Sequence, residues 1–469
     1  MKKAGLVGPS YQERSLPFDA QRTINMFPVV DETENGKETV AMYGTPGKLL
    51  FSTAGVGPVR QSFYSTNGRA FVVSGIELYE LSSGGTATLR GTLNAGTSFV
   101  TMDENGTTLA ICDSDAVYLF TYSSNAFAEV ADADLPSSGT LTFIDGYYIV
   151  SKNLSGAFYL SSLYDGTAWD ALDFATAESS PDVLVRVFNF NGQLWLFGDF
   201  TTEIWANVGG TGFPFARVSG GKIETGCASP YSVVSVDNSV FWVGKDKRGT
   251  GIVYRANGFT PEPISTKPIE LLLGAITDLT VLKGYTYQQD GHTFYVLTGA
   301  GMTTTLVYDT TTKQWHERAY LSAGVQGVDL AANCMFAFGK ILVGDKDSGN
   351  VYQLKMDTYS DNTSPILRQR TFSHIANKGD AFVINSLLVD FEYGVGLQTG
   401  QGSDPQCWLE VSRDGGLTWG NKLYTSIGAA GNRDTRAIWH KLGQFDRQAT
   451  FRVSISDPVK VAICGAYFN

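Results

Sequence analysis

The sequence predicts an all-β protein: a β-propeller, with seven blades favoured over six, carrying an N-terminal extended arm and a C-terminal antiparallel β-sandwich. Three observations predict it. Turn-forming residue pairs recur through the middle of the chain, a short apolar strand follows each, and a further strand with one prominent aromatic comes next. Helical periodicity is scarce. The 469 residues are 43% hydrophobic and include 52 Gly and 22 Tyr, a composition suited to turn-rich cores, while 17% charged residues is too few for a disordered chain.

The repeat opens with TNGRAFVVSGIELYEL, Thr66 to Leu81. Asn67-Gly68 is a hairpin signal, because a type I′ turn needs positive φ at both central residues. One hairpin is not stable alone in water, so a repeated unit is expected. Further centres fall at Asn105-Gly106, Asp145-Gly146, Asn191-Gly192, Asp237-Asn238, Asp290-Gly291 and Gly339-Lys340. The strands after them read RAFVV, TTLAI, YYIVS, QLWLF, SVFWV, HTFYV and ILVGD. The aromatics are Tyr79, Tyr118, Tyr159, Trp205, Tyr254, Tyr308 and Tyr352, each 12 to 18 residues past its turn and 39 to 54 residues past the previous one. A period of roughly 40–50 residues with four short strands per unit is the propeller signature. A run of sandwiches with chance spacing is the alternative, and seven similar gaps argue against it. Short helices are expected within Ile264–Ile276 and around Thr176–Arg186.

Three segments follow. Residues 1–55 are an arm with closing strands, in which the polar loop DETENGKE separates two extended apolar stretches. Residues 56–371 are the propeller. Residues 372–469 alternate apolar and polar positions in FVINSLLVDFEYGVG, CWLEVSRDGGLTWG, RAIWHKLGQF, ATFRVSISD and VKVAICGAYF, the pattern of an antiparallel sandwich, with Pro458 at a turn or edge.

The motif that most invites a chemical reading is SRDGGLTW, which fits the Asp-box pattern through Ser412, Asp414, Gly416, Thr418 and Trp419. Sialidases carry Asp boxes, so a sialidase-like carbohydrate-active enzyme or a glycan-binding propeller is the alternative function. The box itself is a folded turn: Asp414 can accept from backbone amides, Gly415-Gly416 permits positive φ, and Trp419 packs under the hairpin. Sialidases repeat the box within their blades and add an arginine triad, whereas this chain has one box outside the repeat. No catalytic, cofactor-binding or metal-binding residues are therefore assigned. GTGI at Gly249 and TGAGMTTT at Thr298 read as turns and not as nucleotide loops. Asp345/Asp347 and Asp132/Asp134 read as solvated turn carboxylates. GKDKRGTG and GDKDSGN are candidate calcium loops, but without EF-hand spacing.

Five scattered cysteines, Cys112, Cys227, Cys334, Cys407 and Cys464, contain no CxxC and are expected to be reduced and mostly buried. His292, His316, His374 and His440 show no metal spacing. A net charge of −11 disfavours a protein that grips nucleic acid through phosphates, but not one that DNA slides past. Arg413, Arg433, Arg436, Arg447 and Arg452 are interspersed with Asp414, Asp434 and Asp446, as in salt-bridged turns or an intersubunit contact; Arg433, Asp434 and Arg436 are the interface candidates. No apolar run is long enough for a membrane helix, and MKKAGLVGPSYQERSLPF has no apolar core of a signal peptide.

Three segments resemble a known family: NMFPVV…VAMYGTPGKLLF, SRDGGLTWGNKLYTSIGAAGNRDTRAIWHKLGQ, and FRVSISDPVKVAICGAYFN. The family is that of the packaged-DNA stabilisation, or tail hub (nozzle), proteins of short-tailed bacteriophages. The combination of Asp box, R-A-I-W-x-x-L-G and S-D-P-V-K-V carries most of the likeness. His440-Lys441 and the short segment after Gly443 stand apart from the pattern without touching a catalytic role. The resemblance implies a non-enzymatic virion protein without cofactors, assembled in the host cytoplasm as a hexameric ring below the portal and its adaptor. Such a ring extends the channel for double-stranded DNA, retains the packaged genome, and anchors a tail needle, spikes or fibres, without membrane insertion.

Overall fold

In the computed structural model, every residue is described except 34–37, 95, 97, 98, 178, 179 and 211. Seven small antiparallel sheets succeed one another from residue 59 to residue 355. Their innermost strands are Val59–Tyr64, Thr101–Glu104, Ser138–Ile144, Leu184–Phe190, Val234–Val236, Lys283–Gln289 and Ala331–Ala337, taken here as marking blades 1 to 7. The second strand of each blade is almost continuously apolar and buried, as in Ala70–Ser74, Thr108–Cys112 and Gln193–Gly198. A strand covered on both faces reads this way, whereas a half-solvated one alternates. All seven predicted aromatics lie on the third strand of their blades.

Seven hydrophobic cores lie between the blades and close the circle. Phe71, Val73, Ile111 and Phe120 join blades 1 and 2, and Trp195, Phe197, Val240 and Trp242 join blades 4 and 5. Val59, Val72, Leu342 and Val351 join blade 7 back to blade 1. The outer strand of blade 7 comes from the opposite end of the sequence: Gly47–Thr53 pairs antiparallel with Asn350–Lys355. The ring of blades is thus closed by a strand from the N-terminal segment.

Four of the turn centres, Asp145-Gly146, Asn191-Gly192, Asp237-Asn238 and Asp290-Gly291, have positive φ at both residues, as two-residue hairpins require. Three differ from expectation. At Asn67-Gly68 and Asn105-Gly106 only the glycine is left-handed. The first is a longer loop closed by Ser65 N–H donating to Arg69 O at 2.8 Å. In the second, Asn105 Oδ1 accepts from the amides of Thr107 and Thr108. The seventh turn is Phe338-Gly339, one residue earlier than predicted, with Ala337 paired to Lys340.

The helix expected within Ile264–Ile276 is Lys267–Gly274, with Pro268 in its first turn. Around Thr176–Arg186 the described residues form strand ends instead of a helix, since Asp165–Thr176 and Leu184–Phe190 belong to consecutive blades. Residues 178 and 179 of that stretch, and 34–37 of the polar DETENGKE loop, lie outside the described residues.

The C-terminal segment forms two sheets around a core that includes Met42, Leu387, Val389, Trp439, Phe451 and Val453. One sheet runs Met26–Val30, Val40–Gly44, Ala462–Phe468, Phe382–Phe391, Ala437–Phe445. The other contains Arg368–Thr371, Gln448–Ile455, Gln406–Ser412 and Leu423–Ser426, and it continues through Ala20–Ile24 to the outer strand of blade 6. The N-terminal segment is thus woven into both domains. Asn25 marks its change of sheet: its φ is +55°, and its side chain bonds Ala319 N–H, Ala319 O and Leu367 O at 2.9 Å each. Asparagine tolerates this left-handed conformation better than most residues.

Candidate functional site: the blocked axis, the Asp-box hairpin and the domain seam

The propeller axis is the usual place for a ligand or a passage in this fold. Around it, polar side chains stitch neighbouring inner strands to one another. Thr101 Oγ1 accepts from Leu141 N–H, Asp103 Oδ2 accepts from Phe143 N–H at 2.7 Å, and Thr140 Oγ1 accepts from Val187 N–H at 3.0 Å. Ser114, following the second strand of blade 2, hydrogen-bonds Tyr231, preceding the inner strand of blade 5, at 2.7 Å. Phe99 packs edge-on to the Tyr231 ring, with centroids 4.7 Å apart. The Ser114–Tyr231 contact joins blade 2 to blade 5, two blades that are not neighbours, at the end of the axis where the inner strands begin.

The Asp box lies in the sandwich, on the connection between Gln406–Ser412 and Leu423–Ser426. Asp414 Oδ1 accepts from Ser412 Oγ at 2.7 Å and from Thr418 N–H at 2.9 Å, and Thr418 Oγ1 donates to Oδ2. Ser412 Oγ in turn accepts from Gly416 N–H at 2.7 Å. Gly415 and Gly416 have φ of +76° and +95°. A Cβ on Gly415 would lie 2.7 Å from the Pro17 backbone, so the N-terminal segment also requires glycine there. Trp419 is half-buried, with the Arg452 guanidinium 4.1 Å from its ring centroid, and Arg452 pairs with Glu410 at 2.9 Å.

The hydrogen bonds from Thr418 chiefly hold the Asp414 pKa down at about 2. A carboxylate held this low is an acceptor in a turn and not a proton donor at neutral pH. Asp414→Ala should lower stability by about 1 kcal/mol. Because the folded-state pKa lies below the ordinary aspartate value of about 4, this advantage of the wild type is complete above that value and fades as pH falls through about 2. Paired thermal melts across that range check it.

Arg433, Asp434 and Arg436 are exposed on the loop before Ala437–Phe445, and none of the three forms an ion pair among the described residues. Arg413 donates to Leu442 O at 3.0 Å and to Gln444 O, and covers Phe445. Asp345 and Asp132 accept from turn amides, at Asp347 N–H and Asp134 N–H, as turn carboxylates do. Among the described residues no group of three His, Cys, Asp or Glu side chains is arranged to hold a metal, and no helix is long and apolar enough to cross a membrane.

The polar groups with the strongest structural roles went unremarked in the sequence. Lys48, on the closing strand, is buried between Asp329 and Asp361, at 2.6 and 2.9 Å. Burial works against its ammonium, but the two carboxylates outweigh burial and hold its pKa above the ordinary lysine value. Arg370, fully buried, gathers the N-terminal segment: Nη1 donates to Pro9 O and Thr23 Oγ1 at 2.9 Å, Nη2 to Gln21 Oε1 at 2.6 Å, and Nε to Leu6 O. A Cβ on Gly8 would lie 2.9 Å from Nη2, so the segment can approach this closely only with glycine there. Glu317 on the outer strand of blade 6 accepts from Arg22, Ser10 and Thr304 at 3.0, 2.8 and 2.7 Å.

A closed seven-bladed propeller joined to a β-sandwich by a shared N-terminal segment defines an all-β protein of two domains. Residues 6–359 match the family model described as bacteriophage P22 Gp10, beta-propeller, and residues 368–469 match bacteriophage P22 Gp10, beta-sandwich. The chain belongs to the bacteriophage P22 Gp10 family, whose members are structural components of the phage tail.

No curated protein matches the chain in sequence. Solved structures similar to it include the computationally designed Ika8 protein, at 11% identity and TM-score 0.41, covering 65% of this chain and 99% of that one. The N-terminal domain of Nup159 shows 9% identity and TM-score 0.40, covering 66% and 94%. The Cps50 (Swd1) beta-propeller domain of Myceliophteria thermophila shows 7% identity and TM-score 0.43, covering 66% and 100%. None of these likenesses bears on function.

Proposed function

We propose that this protein is the subunit of a tail nozzle, a hexameric ring that continues the DNA channel below the portal and adaptor, retains the packaged genome, and anchors the needle, spikes or fibres. It does so without catalysis. The observation that carries this reading is the match of both Gp10 family domains, in order, along one chain. Two physical features support it. With the propeller axis bridged by Ser114–Tyr231, the channel belongs between subunits and not inside one. With a net charge of −11, a lumen lined by acidic side chains would repel phosphates and let DNA slide. Duplex DNA then passes without sequence-specific contact.

The unpaired, exposed Arg433, Asp434 and Arg436 are assigned to the contact between neighbouring subunits. Arg433→Glu with Arg436→Glu should abolish ring formation while changing the unfolding free energy of the isolated chain by no more than ordinary surface substitutions do, about 0.5 kcal/mol. Analytical ultracentrifugation of the chain coexpressed with its tail neighbours, beside a melt of the chain alone, checks this. Rings that persist in the double variant would remove these residues from the interface. In particles, reversing the charge of acids that line the lumen should slow genome ejection, and an unchanged ejection rate would contradict the repulsive lumen.

A further inference from the structure

A pocket of about 420 Å³ opens on the propeller face where the inner strands begin, with Phe99, which packs on Tyr231, in its wall. Blades 1, 2, 6 and 7 all contribute to it. Its walls are largely apolar, with Phe99, Val281 and Val328 among them, and two cations, Lys283 and Arg60, stand side by side in it. Lys346 and Asp347 at the rim pair with each other. Their charges cancel, and Arg60 feels the carboxylate of Asp113, which leaves Lys283 as the cation that sets the pocket apart.

Lys283 is the unusual member. Its ammonium donates one hydrogen bond, to the backbone carbonyl of Arg60 at 3.0 Å, and lies 4.1 Å from the Phe99 ring centroid. Among the described residues no carboxylate pairs with it. The residue keeps some accessible surface because it borders the pocket. Protein nevertheless crowds the ammonium enough that burial, with the neighbouring Arg60 charge, lowers its pKa to about 7. Lys48, also recessed, sits between two carboxylates, which is how proteins ordinarily accommodate such a charge. Among the described residues Lys283 has no counter-charge, and the pocket beside it has space for one.

We infer that this pocket receives a carboxylate on a short apolar stem, which pairs with Lys283 while its stem packs against Phe99 and the valines. The carboxylate is that of a small organic acid or of an acidic side chain inserted by another protein of the particle. A phosphate of duplex DNA does not fit the description. Its bulk stays at the surface, while the ammonium is recessed in an apolar wall and meets a slender group.

Thermal melts of the full chain test this, because a ligand that binds the folded state raises its melting temperature by mass action. The probes are sodium butyrate and a blocked peptide with a single glutamate, each compared with sodium chloride at equal ionic strength. The wild type should melt higher with carboxylate than with chloride, and Lys283→Met should lose that difference. Lys283→Met removes an uncompensated charge without opening a large void, so it should fold, and without ligand it should melt at or above the wild type. Lys245→Met, at a lysine already paired with Asp199, should keep the carboxylate response. A response to butyrate alone identifies a free acid as the ligand, and a response to the peptide alone identifies a protein-borne carboxylate. No response to either probe, an equal response in Lys283→Met, or a response to inorganic phosphate or duplex DNA in place of carboxylate would overturn the assignment.

Discussion

Lys48→Met is expected to destabilise the protein by about 3–5 kcal/mol, the cost of removing one partner of a buried ion pair and stranding the others. Lys48 stands on the strand that closes the propeller, and its partners lie just before and just after blade 7: Asp329 precedes Ala331–Ala337, and Asp361 follows Asn350–Lys355. Without the ammonium, two carboxylates remain buried together. The loss has a pH signature. The two carboxylates then ionise less readily folded than unfolded, so the deficit is full at neutral pH and narrows as pH falls into the ordinary carboxylate range. In the wild type Lys48 adds a dependence at the alkaline end. The raised pKa of Lys48 means that its contribution persists through neutral pH and fades only as pH rises beyond the lysine range. Adding Asp329→Asn and Asp361→Asn to Lys48→Met should recover much of the loss. Urea unfolding of the three chains at neutral and acid pH reads each arm. A variant as stable as the wild type at neutral pH would show that the closing strand is held by its sheet alone.

Arg370→Met is expected to release the N-terminal segment. Its guanidinium satisfies Leu6 O, Pro9 O, Thr23 Oγ1 and Gln21 Oε1 in a site that methionine fills but cannot hydrogen-bond. Stranded buried acceptors cost about 1–3 kcal/mol each, and relaxation recovers part of this, so a net loss of about 3 kcal/mol is expected. The informative readout is local. Amides of residues 4–24 should exchange faster, and the segment should become open to protease while the blades stay protected. Arg447→Met, on an exposed arginine, should change neither. Protection of the segment in Arg370→Met would mean that the Glu317 contacts with Arg22 and Ser10 suffice to hold it.

The sequence made the repeat legible because a blade is a local structure. Its turns, its doubly buried second strand and its third-strand aromatic all lie within about 50 residues. The closing strand is not local, since Gly47–Thr53 pairs with Asn350–Lys355; only its apolar stretch outside the repeat hinted at a sheet edge to fill. The seventh turn slipped by one residue because Phe338 takes a positive φ, a conformation an aromatic rarely adopts. The seam was not legible. In GKLLFST the ordinary reading turns the leucines inward and the lysine outward, but Leu49 and Leu50 are 49% and 46% exposed and Lys48 is 3% exposed. Carboxylates from the far end of the propeller reverse the pattern, and no local signal announces them. Arg370 in RQRTF likewise looks like any strand-edge arginine, because its acceptors are two backbone carbonyls and two neutral side chains from the far end of the sequence. The Asp box could be read as a turn because its hydrogen bonds join residues within four positions of one another.

The central claim is that these subunits surround a channel which none of them contains. Electron microscopy of the full chain, alone and coexpressed with the neighbouring tail proteins, tests it most directly. The account predicts rings with an open axial channel bounded by several subunits, each propeller showing a filled centre. Isolated single propellers in both samples, or density for DNA running through the axis of one propeller, would contradict it.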